Sequence, residues 1–145
     1  MSWVRVYIHF VFSTKNAHPY LSTQEIRSKV KEHILQNAKE KNIWLDCVNG
    51  YHDHLHCLVS LSKSQTISDI AKLIKGESSF WINQNKLTTS KFGWQDDYWA
   101  VGVSESHVDA VRSYIQGQEV KHRDISFIKE VGSFVEKYGW EITKG

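Results

Sequence analysis

Apolar residues recur at every second position from Trp3 to Ser13. Val4, Val6, Ile8, Phe10 and Phe12 fall on one side, and Trp3, Arg5, Tyr7, His9 and Val11 on the other. That alternation commits the chain to a half-buried strand, and the changes of period that follow leave few folds open. Ser22-Thr23-Gln24-Glu25 predicts a helix start, with a serine cap and an acid three residues on. Ile26, Val30, Ile34 and Ala38 then keep helical spacing to about Lys41, and Asn42 ends the run. Ile43 to Asn49 reads as a second strand and His54 to Leu61 as a third, with a hairpin turn around Gly50 to Asp53. Ser64 to Gln84 has the spacing of a second helix, with Ile67, Ile70, Ala71 and Ile74 inward, followed by Phe80 and Trp81. After a polar loop over 85–93, Tyr98 to Ser104 is a fourth strand. Ser106 caps a third helix through about Gln118, and a shorter helical tail follows near Ile125 to Tyr138. The order predicts an α+β fold: a ferredoxin-like βαββαβ antiparallel sheet, first and third strands central, with an additional C-terminal helical element.

A chain of 145 residues suits one compact domain, expected to span 1–145. Hydrophobic residues at 41% and charged residues at 23% are globular proportions, and a single proline leaves no linker-like stretch. No apolar run is long enough for a membrane span, and Met1 to Phe12 lacks a signal-peptide pattern, so a cytoplasmic protein is expected. In that compartment Cys47 and Cys57 read as reduced core residues. A formal net charge of +2 means that any polyanion must bind through a local basic patch.

The segment Tyr51-His52-Asp53-His54-Leu55-His56-Cys57-Leu58-Val59 carries the chemistry. Residues two apart on a strand share a face, so His54 and His56 project together, while Leu55, Cys57, Val59 and Leu61 face the helices. Paired imidazoles make a metal chelate; a solvated polar pair is the alternative. Tyr114 and Gln118 are four apart and share one face of the third helix. In the fourth strand Tyr98, Ala100, Gly102 and Ser104 are expected on the histidine side, where three small residues would let a helix or a DNA strand approach. Trp99, Val101 and Val103 then face away from it.

Together these halves resemble the single-tyrosine IS200/IS605 transposases, marked by a His-hydrophobic-His (HUH) motif and a later helix bearing Tyr-x-x-x-Gln. Asp53-His54-Leu55-His56 is similar to that family's Asp-His-Val-His, and Lys75-Gly76-Glu77-Ser78-Ser79 to its Lys-Gly-x-Ser-Ser stretch. Phe10-Val11-Phe12-Ser13-Thr14-Lys15 and the stretch from Tyr114 through Gln118-Glu119 to His122-Arg123 also match. The likeness runs from about Trp3 to Phe134. It departs at His52, where the family often has proline, and at Lys121, where one branch has histidine.

The resemblance implies a transposase that cleaves and rejoins single-stranded DNA. His54, His56 and Gln118 would hold one divalent metal, Mg²⁺ or Mn²⁺, which polarises the scissile phosphate, and imidazole ligands favour Mn²⁺. Tyr114 would attack phosphorus to leave a 5′-phosphotyrosine and a free 3′-hydroxyl. A phenol titrates near pH 10, so it needs metal proximity or a base; His9, on the histidine face, and water are candidates. The resemblance also implies single-stranded DNA with element-end hairpins as partner, and a homodimer with shared active sites.

For phosphate contacts the sequence offers Arg5 on the histidine face, Lys72 and Lys75 on the second helix, Arg112 beside Tyr114, and Lys121 with Arg123 after it. Trp3 is placed to stack on bases, with Trp81 and Trp94 as lesser candidates, whereas Trp44 and Trp99 read as core. Two rivals remain at this point. A non-catalytic ferredoxin-like single-stranded nucleic-acid-binding module would show aromatics on the open sheet face. A hydrolase for small phosphoesters would not need Tyr114.

Overall fold

The computed structural model describes residues 1–138, with the side chains of 123, 124 and 134–138 left aside. Its elements are β1 (Val6–Ser13), α1 (Gln24–Glu40), β2 (Trp44–Tyr51), β3 (His54–Leu61), α2 (Ile67–Gln84), β4 (Trp99–Val103), α3 (Val108–Gln116), α4 (Gln118–Asp124) and α5 (Phe127–Tyr138). The four strands form one antiparallel sheet in the order β2-β3-β1-β4. The two longest apolar alternations, β1 and β3, are therefore central, as the ferredoxin-like pattern requires.

One face of the sheet carries the main core. Phe10, Phe12, Leu55, Cys57 and Val59 pack there against Val30 and Ile34 of α1 and Ile70, Ala71 and Ile74 of α2. Full burial of an aromatic or leucine side chain contributes roughly 1.5–3 kcal/mol, so this layer supplies most of the drive to fold. The other face is covered by α3, α4 and α5. Val108 and Ile115 of α3 seat on Leu58, and Phe127 of α5 seats on Val11. The sheet is thus sandwiched between helices, and its histidines lie in an interior.

The helix starts fall slightly later than the sequence pattern predicts. Thr23, not Ser22, caps α1 by accepting from the Ile26 amide at 3.2 Å, and Thr66 caps α2 by accepting from Asp69 at 3.1 Å. With α2 beginning only at Ile67, that residue remains exposed. The hairpin between β2 and β3 turns at His52 and Asp53. Gly50 is obligatory beside it, because a β-carbon there would collide with the His54 carbonyl oxygen.

Three expectations need correction. In β4 the faces are reversed: His9 pairs with Val101, so Trp99, Val101 and Val103 share the histidine side, and Ala100 and Tyr98 join the main core. The strand is only partly buried on either face, so alternation alone could not decide its orientation. The third helix does not continue through Gln118. It ends at Gln116, and Gly117 (φ −88°, ψ 9°) breaks it before α4 begins. Trp44 is not core but 69% exposed, at the start of the edge strand β2.

Candidate active site

His54 and His56 project from β3 on the face opposite Leu55 and Cys57, and both are fully buried. The kink at Gly117 turns α4 so that Gln118 enters the same space, with its Oε1 3.0 Å from His54 Nε2. One turn on, His122 Nε2 lies 2.9 Å from the same oxygen. From α5, Glu130 completes the cluster. Its Oε1 is 3.0 Å from His56 Nε2, 3.2 Å from His122 Nε2 and 3.4 Å from His54 Nε2. Its Oε2 accepts from the amide of Gln118 at 3.0 Å and from the hydroxyl of Tyr114.

The protonation pattern follows from the outer hydrogen bonds. His122 Nδ1 donates to the Ile125 carbonyl at 2.7 Å, and His54 Nδ1 to the Asp53 carboxylate at 2.9 Å. When neutral, both rings must then aim an Nε2 lone pair inward. His56 Nδ1 is 2.8 Å from Nε2 of His9, which fixes that ring from the other side. Inward lone pairs, a carboxylate oxygen and an amide oxygen all face one another, an arrangement that repels unless a cation sits between them. Ligand atoms of His54, His56, His122 and Glu130 all lie within 4.8 Å of one another. This donor set of imidazoles and hard oxygens fits a divalent metal ion.

Burial above all pushes the His9 and His56 rings down to about 3 and about 4, helped at His9 by the neighbouring His56 and opposed at His56 by its bond to Glu130, so both are neutral near pH 7. Burial would raise the Glu130 carboxyl, but bonds from His122 and His56 outweigh it and hold the group ionised, well below the usual carboxylate range. Glu130 is thus an anion set among imidazoles, of which His9 and His56 are held neutral by their burial.

Tyr114 is half-buried near the end of α3. Its ring meets His56 edge-on at 5.6 Å, and Lys121 Nζ lies 5.0 Å over it. The structure therefore brings together Tyr114, His54, His56, Gln118 and Lys121, all from one chain. The other basic candidates are not gathered here. Lys72 and Lys75 ride on α2, across the sheet from the histidines. Arg112 holds Asp46 through two nitrogens, at 2.7 and 2.8 Å, and Arg5 pairs with Glu105 at 3.0 Å. The Arg123 side chain lies outside the described residues.

Two cluster members were not singled out from sequence as ligands. His122 stands four after Gln118, a spacing that puts both on one face of α4. Glu130 interrupts the apolar stripe of Phe127 and Val131 on α5, and an acid on a buried stripe signals a partner.

Comparison with known proteins gives the family and the fold. Residues 2–118 match the family model for IS200-like transposases. The ISDra2 transposase TnpA of Deinococcus radiodurans is 25% identical over 118 residues, covering 78% of this chain and 84% of its own length. Two solved structures share the fold. A candidate transposase from Deinococcus radiodurans R1 superposes with a TM-score of 0.63 at 21% identity, over 81% of this chain and 93% of its own. A REP-associated tyrosine transposase bound to a REP hairpin gives 0.62 at 15% identity, over 99% of this chain and 90% of its own. With the family model matching most of its length and the HUH sheet in place, the chain belongs to the IS200-like transposases.

Proposed function

We propose that this protein, a single domain working in the cytoplasm, is a metal-dependent endonuclease and strand transferase for single-stranded DNA, with Tyr114 as nucleophile. The observation that carries this reading is the Tyr114 hydroxyl, bonded to a carboxylate that also faces three imidazoles.

His54, His56 and Gln118, joined by His122 and Glu130, would hold one Mg²⁺ or Mn²⁺. When bound, the ion supplies Lewis-acid stabilisation of the charge that builds on a scissile phosphate. The protein's own groups do the rest. Glu130 divides its duties, Oε1 toward the imidazoles and Oε2 toward the phenol, so it couples the cation site to the nucleophile. It is also the group in place to receive the phenol proton, whereas His9 is engaged with His56. The tyrosyl oxygen forms a bond to phosphorus as the bond to the 3′ oxygen breaks. One strand end becomes a 5′-phosphotyrosine, and the other leaves as a 3′-hydroxyl after taking up a proton. Attack by a different 3′-hydroxyl reverses the step and joins new DNA without a nucleotide cofactor.

Lys121, over the Tyr114 ring, is the basic side chain best placed to meet the phosphate. Hairpin-bearing element ends are the proposed substrate, and a homodimer the proposed assembly, each subunit carrying a site built from its own residues. Because His54, His56 and Gln118 are fully buried beneath α5, that helix must lift before a strand can enter.

The test is a labelled single strand carrying a candidate element-end hairpin, incubated with Mn²⁺ and resolved on a denaturing gel. A protein-linked band is expected, abolished by a chelator and by Tyr114→Phe, while binding by the variant persists. A covalent band that survives Tyr114→Phe would refute the assignment.

A further inference from the structure

A second concavity lies on the other face of the sheet, between α2 and the segment that follows it. This cavity of about 360 Å³ is lined by Lys15, Lys75 and Lys91 together with Tyr20, Gly76 and the buried Phe92. Asp96 also lines it, and Asp97 lies close enough to act on Lys75, so lysines exceed carboxylates three to two. In a molecule whose formal net charge is only +2, that is a local concentration of cations. Its volume falls at the lower end of the range for small-ligand clefts, about 300–1,000 Å³, which admits a nucleotide and excludes a duplex.

The lining is held in place. Lys75 Nζ donates to the Asp96 carbonyl at 2.7 Å and lies 5.7 Å over the Tyr98 ring, which fixes its stem across the mouth. Tyr20 meets Phe92 edge-on at 5.1 Å, and Trp94 behind them donates to Ser78 at 3.0 Å. Gly76 lines the cavity, and a β-carbon there would meet nothing within 4 Å.

The cavity is tied to the candidate active site at one end of the sheet. Lys15 donates its amide to the Gly93 carbonyl at 2.9 Å, and Thr14 donates to the Asp53 carbonyl at 2.9 Å. Asp53 in turn fixes the His54 ring. Lys15 is thus joined through Thr14 and Asp53 to the His54 end of the cluster.

We infer that this cavity binds one nucleotide of the single strand that flanks the cleaved phosphate, with lysines on its phosphates and its base against Tyr20, which the buried Phe92 backs. Cations interleaved with aromatic rings are what single-strand sites use, because every base has a face to stack and every link a charge. The inference rests on the single-strand reading above and adds a contact on the opposite face of the sheet. It gives the enzyme a means of setting where along a strand it cuts.

The test uses Tyr114→Phe protein, so that chemistry plays no part, and an iodouracil-substituted oligothymidylate as probe. After irradiation and digestion, crosslinks are expected on Tyr20 or on the peptide around Phe92. Gly76→Leu adds bulk at a lining position where a β-carbon meets nothing within 4 Å, and leucine is the better helix former, so an unchanged circular-dichroism spectrum and melting temperature separate loss of the site from loss of the fold. The substitution should abolish those crosslinks and weaken binding several-fold. Lys15→Ala with Lys91→Ala should flatten the dependence of affinity on salt by about 0.7 in logarithmic slope for each phosphate that is no longer neutralised. Crosslinks found only elsewhere, or binding and salt slope unchanged in both variants, would overturn the inference. So would thymidine monophosphate displacing the oligonucleotide at equal concentration, which would mark a mononucleotide site. A protein that forms the Tyr114 adduct yet leaves the cavity uncrosslinked loses only this inference. One that crosslinks there but never forms an adduct loses the nuclease reading instead.

Discussion

Glu130 shows how much one side chain decides at this site. A buried carboxylate is costly unless it is compensated: Oε2 accepts from an amide and a phenol, while Oε1 faces three imidazoles across the space where a cation would compensate it. Glu130→Gln keeps the shape but removes the anion. We expect Mn²⁺ affinity, read by calorimetry, to fall by at least about tenfold, together with the yield of the tyrosine adduct. Arg27 is the structural counterpart. It is buried at 6% exposure, donates to the Leu21 carbonyl at 2.8 Å and to Glu119 at 3.2 Å, and lies 5.0 Å over the Tyr51 ring. Arg27→Ala should cost about 1–3 kcal/mol in urea unfolding, because the Leu21 carbonyl loses its buried partner. Asp46 carries a pH dependence. Its hydrogen bonds from Arg112 hold the carboxyl below its ordinary value, against a smaller opposing effect of burial. A depressed carboxylate stabilises the fold above its unfolded pKa, near about 4, and loses that contribution as the pH falls through the folded value. Asp46→Asn should therefore lower the melting temperature at pH 7, with the difference from the parent closing in acid.

Among elements, β1, β3 and the two long helices were legible in the sequence because each sets a regular apolar row on the main core, although β1 and β3 are buried on their histidine face as well and not half-buried as the alternation suggests. Periodicity reports such a row directly. The elements on the histidine side were less legible. In β4 both faces are partly covered, so its alternation is real but does not tell which side faces the histidines. The Gly117 break is invisible to a pattern that needs only four-residue spacing, and Tyr114 and Gln118 meet across it all the same. His122 and Glu130 reach the site only because α4 and α5 fold back over the sheet, a tertiary event no local spacing encodes. That fold-back has a dynamic consequence. α5 is anchored to the sheet layer by Phe127, stacked on His54 at 4.1 Å, by Val131 and by Glu130. Among the described residues this apolar anchor is small, and a helix so held opens more readily than the central strands. Hydrogen exchange should show α5 amides exchanging well before those of β1 and β3. Mn²⁺ should slow α5 selectively, because an ion held by His54, His56 and Glu130 pins the helix to the sheet. Exchange at α5 as slow as in the central strands would refute the lid.

At the scale of the whole molecule, the question is which subunit's tyrosine serves which histidines. Family resemblance implies a dimer with exchanged helices, but here Tyr114 reaches the imidazoles of its own chain, with its ring 5.6 Å from His56. α3 enters from β4 through one 3₁₀ turn, Glu105–His107, and is seated by Val108 and Ile115 on Leu58. Handing the tyrosine to a partner would require unseating these residues along with the Arg112–Asp46 pair. Sites built within one chain predict a definite result when two inactive proteins are mixed, His56→Ala supplying the tyrosine and Tyr114→Phe the histidines. With shared sites, a mixed dimer contains one centre bearing both defects and one bearing neither, and covalent adduct reappears. With sites closed within each subunit, every centre keeps one defect and mixing restores nothing. We expect no adduct from the mixture at any ratio, with Mn²⁺ and a hairpin-bearing single strand present. A protein-linked band from the mixture alone would show that α3 is exchanged, and that the arrangement described here is the resting form of a site completed by its partner.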